Sequence, residues 1–332
     1  MAPKIHFGVN LNFAKYVYGR KRGLEVARRK LGLRCVEMVA DNDFGPAFYL
    51  QSPEAFREYH YEIADHAEVQ GVKVAGLFTV YRDAGAIASS HPEIRESAYS
   101  VGLSIIEQAA CYGAKYVGAS LFTMNKEAAE DPEQYNAQFD ASIEMWKRWM
   151  GDARRLGVPL LLIENAAAYR EGCSTIDDTR VTLQALREFH GKNPDTTIPV
   201  GLCYDTGHGI SPLENRDDAN RDFRAWLEAF PDCTHEVHLK NTDPEFLETW
   251  HLHEGNGIIR TRDVLKAVRD SLTVPEIYVQ LEIPGKRGRD IGEVRSIDEH
   301  VKSIEVVHEA IRSLGYTQDP TEHGWNPPDS SE

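Results

Sequence analysis

The chain has 332 residues, 42% of them hydrophobic and 27% charged, which is the make-up of a globular protein and not of a disordered one. Its formal net charge is −15, a surface that repels a phosphodiester backbone, so nucleic acid is not an expected partner. No apolar run reaches the ~20 residues of a membrane-spanning helix.

The opening Met1-Ala2-Pro3-Lys4-Ile5-His6-Phe7-Gly8 lacks the apolar stretch of a secretion signal and reads directly into a strand at 5–9. Helical periodicity over 22–31 ends in Leu31-Gly32 and feeds a strand at 34–38. The same junction recurs: a helix over 52–70 closes at Gly71 before a strand at 73–78, one over 93–112 at Gly113 before 115–120, and one over 132–156 at Gly157 before 159–164. Glycine takes up the left-handed conformation that closes a helix, so each junction marks a helix end leading into a strand. Repeated β-then-α units imply a parallel sheet. The pattern continues with a helix at 179–190, a strand at 199–205, a helix at 219–229, a strand at 235–240, a helix at 262–272, a strand at 277–282 and a helix at 297–313. Leu160-Leu161-Leu162-Ile163 is the continuous apolar run expected of a strand buried on both faces.

Eight such units at this length predict an α/β protein, a single (β/α)8 TIM barrel over 1–315. The first strand is not followed by G-x-G-x-x-G, which weighs against a doubly wound dinucleotide fold. Residues 316–332 are polar and contain proline; they read as a tail, either a frayed end or an arm on a neighbouring subunit, with composition favouring the first. The five cysteines, Cys35, Cys111, Cys173, Cys203 and Cys233, include no C-x-x-C pair. That argues against a disulfide framework or a zinc knuckle, for apolar filler at each position, and for a reducing cytoplasmic setting.

In a barrel of this kind the site lies at the C-terminal ends of the strands. The fifth strand ends Leu162-Ile163-Glu164-Asn165, and the sixth ends Tyr204-Asp205 before Thr206-Gly207-His208. The seventh ends Val237-His238-Leu239-Lys240, and the last ends Gln280-Leu281-Glu282. Each of these residues alone is better read as a cap or a loop residue. Four metal-capable side chains on consecutive apolar strands are hard to dismiss in that way. Glu164, Asp205, His238 and Glu282 make an oxygen-rich, thiolate-free set suited to one Mn²⁺, with Mg²⁺ or Co²⁺ as alternatives.

Glu164, Asp205-Thr-Gly-His208, His238-Leu-Lys240 and Glu282 resemble the xylose-isomerase-like family of sugar isomerases and epimerases, over about residues 4–315. The resemblance implies that the four residues bind one divalent metal, that Glu164 and Glu282 flank the substrate and shuttle protons, and that His208 contacts it. Phe7-Gly8-Val9-Asn10-Leu11-Asn12-Phe13-Ala14, Tyr169-Arg170-Glu171, His238-Leu-Lys-Asn-Thr-Asp243 and His251 before Gly257-Ile258-Ile259 look like erythrulose-phosphate epimerase-like proteins, and the α subunits of C-glycoside deglycosidases look similar. Asp41-Asn42-Asp43-Phe44-Gly45-Pro46 and His251-Leu-His253-Glu254 depart from the epimerase pattern, which puts a simple tetrose phosphate in doubt.

Two chemistries follow. In the first, the metal chelates a carbonyl and its neighbouring hydroxyl, and an enediolate forms when a glutamate takes the α-proton; return of the proton gives an epimer or an isomer. Asn165, Lys240 and His251 are then candidate substrate-binding residues, Lys240 offsetting the enediolate charge or else reading as a solvated or ion-paired lysine. In the second, deprotonation beside the ketone of a 3-keto C-glycoside releases the aryl group, and His251 or His253 serves as a base or is simply a loop histidine. That lyase reading brings a small β subunit and an aromatic rim, for which Tyr16, Tyr18, Phe78, Tyr81, Phe122 and Trp250 are candidates against the commoner fate of core packing. Arg289, with Lys286 and Arg287 in Gly285-Lys-Arg-Gly-Arg, reads either as a phosphate site or as an exposed charge run. The resemblance also implies an oligomer. An endonuclease of the same superfamily would need several metals and a basic face, and a non-catalytic barrel would be expected to lack a ligand.

Overall fold

The computed structural model describes residues 2–14, 18–40, 46–79, 87–208, 218–243, 249–284, 293–319 and 324–328. Strands and helices alternate along them: β1 (Lys4–Asn10), α1 (Arg20–Arg29), β2 (Cys35–Val39), α2 (Pro53–Gln70), β3 (Lys73–Thr79), α3 (Pro92–Tyr112), β4 (Tyr116–Ser120) and α4 (Pro132–Leu156). The second half follows with β5 (Leu161–Glu164), α5 (Ile176–Lys192), β6 (Val200–Asp205), α6 (Phe223–Ala229), β7 (Thr234–Leu239), α7 (Thr261–Ser271), β8 (Glu276–Leu281) and α8 (Glu293–Ser313). The four junction glycines, Gly32, Gly71, Gly113 and Gly157, all have positive φ, between 61° and 82°. That is the backbone state by which the sequence marks its helix ends.

Helix starts follow their caps. The Thr175 hydroxyl accepts from Asp178 N (3.1 Å), so α5 begins three residues before the apolar periodicity does. The stretch expected as one helix over 219–229 divides at Asp222, whose carboxylate caps α6 by accepting from Arg224 N (3.0 Å). One-turn elements such as Leu11–Ala14, Pro46–Gln51 and Tyr169–Glu171 were not expected, being too short to show a period.

The chain divides into two compact units. The first takes Met1–Met38, His66–Lys73 and Leu202–Glu332. In it β1 pairs in parallel with β2 (Asn10 opposite Glu37) and with β8 (Ile5 opposite Ile277), β8 pairs with β7, and β7 with β6. Lys73 N donates to Arg34 O at 2.7 Å, which lays the start of β3 beside β2. Gly8 sits in this ladder where a Cβ would come within 2.5 Å of Cys35 O and 2.4 Å of Gln280 Oε1, so only glycine fits. The second unit takes Val39–Asp65 and Val74–Gly201. There β3 pairs with β4 and β4 with β5, all parallel. Ala40 N bonds Phe78 O (2.7 Å) at one edge and Leu161 N bonds Pro199 O (3.3 Å) at the other, bringing in the end of β2 and the approach to β6. Strand by strand, neighbours follow chain order and β8 returns to β1, the topology of a (β/α)8 barrel.

The described part of the tail does not fray. Thr317–Gln318 pairs antiparallel with Trp325–Asn326, and Trp325 pairs with Ile5 of β1. Trp325 is buried and packs on His308, which holds the hairpin down through apolar contact that composition does not reveal. No helix among the described residues is long and apolar enough to cross a membrane. All five cysteines are buried, and none is in a disulfide.

One consequence is acid sensitivity. His300 of α8 is buried, with Nδ1 donating to Ser296 O (2.7 Å). Burial, helped by the neighbouring His251, pushes its pKa down to about 4. The unfolded chain therefore binds this proton more tightly than the folded one. The stabilisation is complete above the ordinary histidine value and is lost as pH falls toward 4, at up to about 3 kcal/mol for such a group. Denaturant unfolding from pH 7 to pH 4 is expected to show that loss, with a shallower pH slope in His300→Gln; equal slopes would rule it out.

Candidate metal centre

The strand ends of the first unit bring the expected groups together. β6 finishes on Asp205, which stands opposite His238 in the β6–β7 register, and His238 stands opposite Gln280 of β8, two residues before Glu282. A clip tightens these ends. Thr206 Oγ1 accepts from Lys240 N (3.0 Å) and donates to Lys240 O (2.9 Å), while Glu282 N bonds Leu239 O (3.2 Å). Asp205 is oriented by Gly207 N, which donates to its Oδ1 at 2.7 Å.

Asp205, His238 and Glu282 are buried and offer ligand atoms within 4.8 Å of one another. His238 Nδ1 is 3.1 Å from Glu282 Oε2 and 3.9 Å from Asp205 Oδ2. Lys240 Nζ lies 2.6 Å from Asp205 Oδ2 and 3.0 Å from Glu282 Oε2, so the lysine is both buried and ion-paired. His208 Nε2 is 3.4 Å from Lys240 Nζ and 3.6 Å from Asp205 Oδ2. Glu164 ends β5 in the second unit, buried, opposite Ser120 in the β4–β5 register; Asn165 beside it is also buried.

Burial works against charge on every member, and the neighbours decide the outcome. Burial pushes Asp205 above the usual carboxylate range, against the pull of Lys240. Burial opposes Glu282 too, yet Lys240 and His238 hold it well below that range, which makes it the stronger acid of the pair. Desolvation disfavours the imidazolium of His238, but Cys203, Glu37, Glu282 and Glu236 around it raise its pKa well above the ordinary value. Positive charge is therefore favoured at this point. Two carboxylate oxygens and an imidazole nitrogen form the hard donor set that a divalent cation takes.

Glu37 was missed by reasoning from strand ends. It lies within β2, fully buried, with its Oε2 3.0 Å from His238 Nε2. The available signal was an acid inside the apolar run Cys35-Val36-Glu37-Met38-Val39. Glu236, two residues before His238 on the same strand face, lies 3.8 Å from the same nitrogen.

His251 falls in a different group. Its Nδ1 is 3.4 Å from Ser303 Oγ of α8, and its ring meets His300 at 5.1 Å and His253 at 5.8 Å. His253 bonds Glu299 at 2.6 Å. Of the aromatic candidates, Phe78 and Phe122 are core residues, Phe122 packing edge-on against Tyr135 and Phe139, while Trp250 is half-buried. Arg289, Lys286, Arg287, Tyr16 and Tyr81 lie outside the described residues.

No curated protein sequence matches the chain. A putative xylose isomerase from Rhodospirillum rubrum ATCC 11170 superposes with a TM-score of 0.79 at 18% identity, over 92% of this chain and 99% of that one. A D-psicose 3-epimerase with D-tagatose from Clostridium cellulolyticum H10 gives 0.64 at 15%, over 92% and 99%. The apo form of a 3-keto-D-glucoside 4-epimerase from E. coli gives 0.62 at 15%, over 92% and 100%. At these identities the likeness is one of fold. The model of the xylose isomerase-like TIM barrel family matches residues 26–309, and the chain belongs to that family.

Proposed function

We propose that the protein is a divalent-metal-dependent sugar isomerase or epimerase that moves a proton on the carbon next to a keto-sugar carbonyl. The observation that carries this reading is the buried Asp205–His238–Glu282 group at successive strand ends, with the Lys240 ammonium against both carboxylates. Glu164 ends the preceding strand, and strand ends of this fold meet on one face, so Glu164 supplies the fourth ligand. The structural neighbours named as sugar isomerases and epimerases support the substrate class.

Glu164, Asp205, His238 and Glu282 would hold a divalent cation, Mn²⁺ by preference, which would supply Lewis-acid polarisation of the keto oxygen and so acidify the adjacent C–H. The rest is the work of this chain. Glu282, the stronger acid of its pair, is ionised at neutral pH and accepts the α-proton. Glu164 serves the opposite face of the sugar. Delivery of a second proton, carried in by Glu164, to the opposite face of the same carbon inverts it and leaves the abstracted proton on Glu282; delivery to the neighbouring carbon, with a hydroxyl proton passing between the two oxygens, isomerises the sugar. Lys240 balances the negative charge that develops on the substrate oxygens. His208 donates to a substrate hydroxyl, Asn165 orients the sugar beside Glu164, and His251 and Arg289 are further candidate contacts.

The test is turnover in D₂O with Mn²⁺, followed by NMR on ketoses, ketose phosphates and 3-keto C-glycosides. Deuterium is expected beside the carbonyl, to stop on EDTA treatment and to return with Mn²⁺. Exchange that survives complete metal removal would overturn the metal-dependent reading. Release of a free aglycone would reassign the protein as a C-glycoside lyase, and activity gained only with a small second subunit would add that partner.

A further inference from the structure

We infer that Glu37, clamped by Asn10, is the positioning residue of His238: it accepts a hydrogen bond from Nε2–H and so keeps Nδ1 turned toward Asp205 and Glu282, where a cation would replace the Nδ1 proton. The inference rests on the metal reading above and concerns three residues of one unit.

The hydrogen-bond roles are forced in sequence. Asn12 N donates to Asn10 Oδ1 at 2.8 Å, which settles which way the Asn10 amide faces. Its Nδ2 must then donate, and it does so to Glu37 Oε2. Asn10 and Glu37 are opposite one another in the β1–β2 register, so the clamp is built into the strand pairing. An ionised carboxylate only accepts. His238 Nε2, 3.0 Å from the same Oε2, can meet it only as N–H. Glu236 Oε2, at 3.8 Å, is another acceptor on that side and reinforces the choice.

A neutral imidazole carries one N–H and one lone pair. On the Nδ1 side stand Glu282 and Asp205, also acceptors, so the ring could orient its proton either way if Glu37 were absent. With Glu37 in place the Nε2 proton has a buried partner away from the cluster, so the proton a cation displaces is the one Nδ1 shares with Glu282, and the ring stays fixed. A carboxylate behind a ligating histidine fixes the tautomer and makes the ring a better donor; its loss typically costs 10- to 100-fold in metal affinity. Glu37 is fully buried and acts only through His238, so it is not a catalytic residue.

The experiment titrates wild type, Glu37→Gln and Asn10→Ala with Mn²⁺ by calorimetry and records the ring N–H protons of ¹⁵N-histidine-labelled, metal-free protein. Mn²⁺ affinity is expected to fall about 10- to 100-fold in Glu37→Gln. The His238 Nε2–H, a slowly exchanging downfield resonance in wild type, is expected to move upfield in the same variant. A change that merely loosened packing would not move that resonance selectively. Affinity within twofold of wild type, or an unshifted resonance, would overturn the inference while leaving the metal reading intact. Failure of the wild type to bind Mn²⁺ would instead remove the metal reading, and with it the assigned role of Glu37. Should Glu37→Gln not fold, Asn10→Ala decides: a several-fold loss supports the clamp and unchanged affinity sinks it.

Discussion

Replacing Glu282 by Gln is expected to lower proton exchange by about 10³- to 10⁴-fold at saturating Mn²⁺, in the upper range for loss of a positioned base. The substitution keeps the shape of the side chain and removes its charge. In the native cluster Glu282 Oε2 is held between His238 Nδ1 at 3.1 Å and Lys240 Nζ at 3.0 Å, and these cations keep it ionised. A glutamine amide cannot accept the α-proton, and it ligates a cation more weakly than a carboxylate does. Measuring kcat and Mn²⁺ occupancy together separates the two losses. A rate recovered fully by excess Mn²⁺ would make Glu282 a ligand and not a base. Glu164→Gln should cost a comparable factor in an epimerase, since the second face of the sugar then has no acid to return the proton. A Glu164→Gln enzyme that still exchanges deuterium into substrate but forms no product would assign proton removal to Glu282 and return to Glu164.

Trp226→Ala is expected to destabilise the fold by about 3–5 kcal/mol, the range for deleting a fully buried large aromatic side chain. Trp226 has no exposed surface. Its Nε1 donates to Asn220 O at 2.9 Å, and its ring lies 5.7 Å from Tyr204 and 6.0 Å from Phe230. Truncation leaves a cavity between α6 and β6 and removes the indole donor from the Asn220 carbonyl. Tyr204 immediately precedes Asp205, so the void opens beside a ligand. Trp226→Phe should retain most of the packing and lose mainly the hydrogen bond. Urea unfolding of both variants is the measurement, and a loss below about 1 kcal/mol for Trp226→Ala would show that the site collapses without cost.

Much of this was legible along the chain. Gly32, Gly71, Gly113 and Gly157 marked helix ends because the backbone state they adopt is a local property. Asp205, His238 and Glu282 could be named as one group because a barrel places its strand ends on one face, so a position at a strand end stands for a position in space. Glu37 could not be found by that rule. It lies inside a strand and 201 residues from the histidine it holds, and no period relates the two. The hairpin of Trp325 on β1 was hidden for the same reason: a polar, proline-containing segment carries no sign of the partner that will cover its one large side chain.

The sequence by itself therefore determined the order of strands and helices, the topology they close into, and the donor types at the strand ends, all of which depend on local backbone preference and hydrophobic period. Tertiary structure alone decided that Lys240 pairs with both Asp205 and Glu282, that Asn10 and Glu37 stand behind His238, and that His251 belongs with His253 and His300 against α8. Those pairings depend on Coulomb and hydrogen-bond forces that act over a few ångströms, and only the folded chain brings residues so distant in sequence within that range.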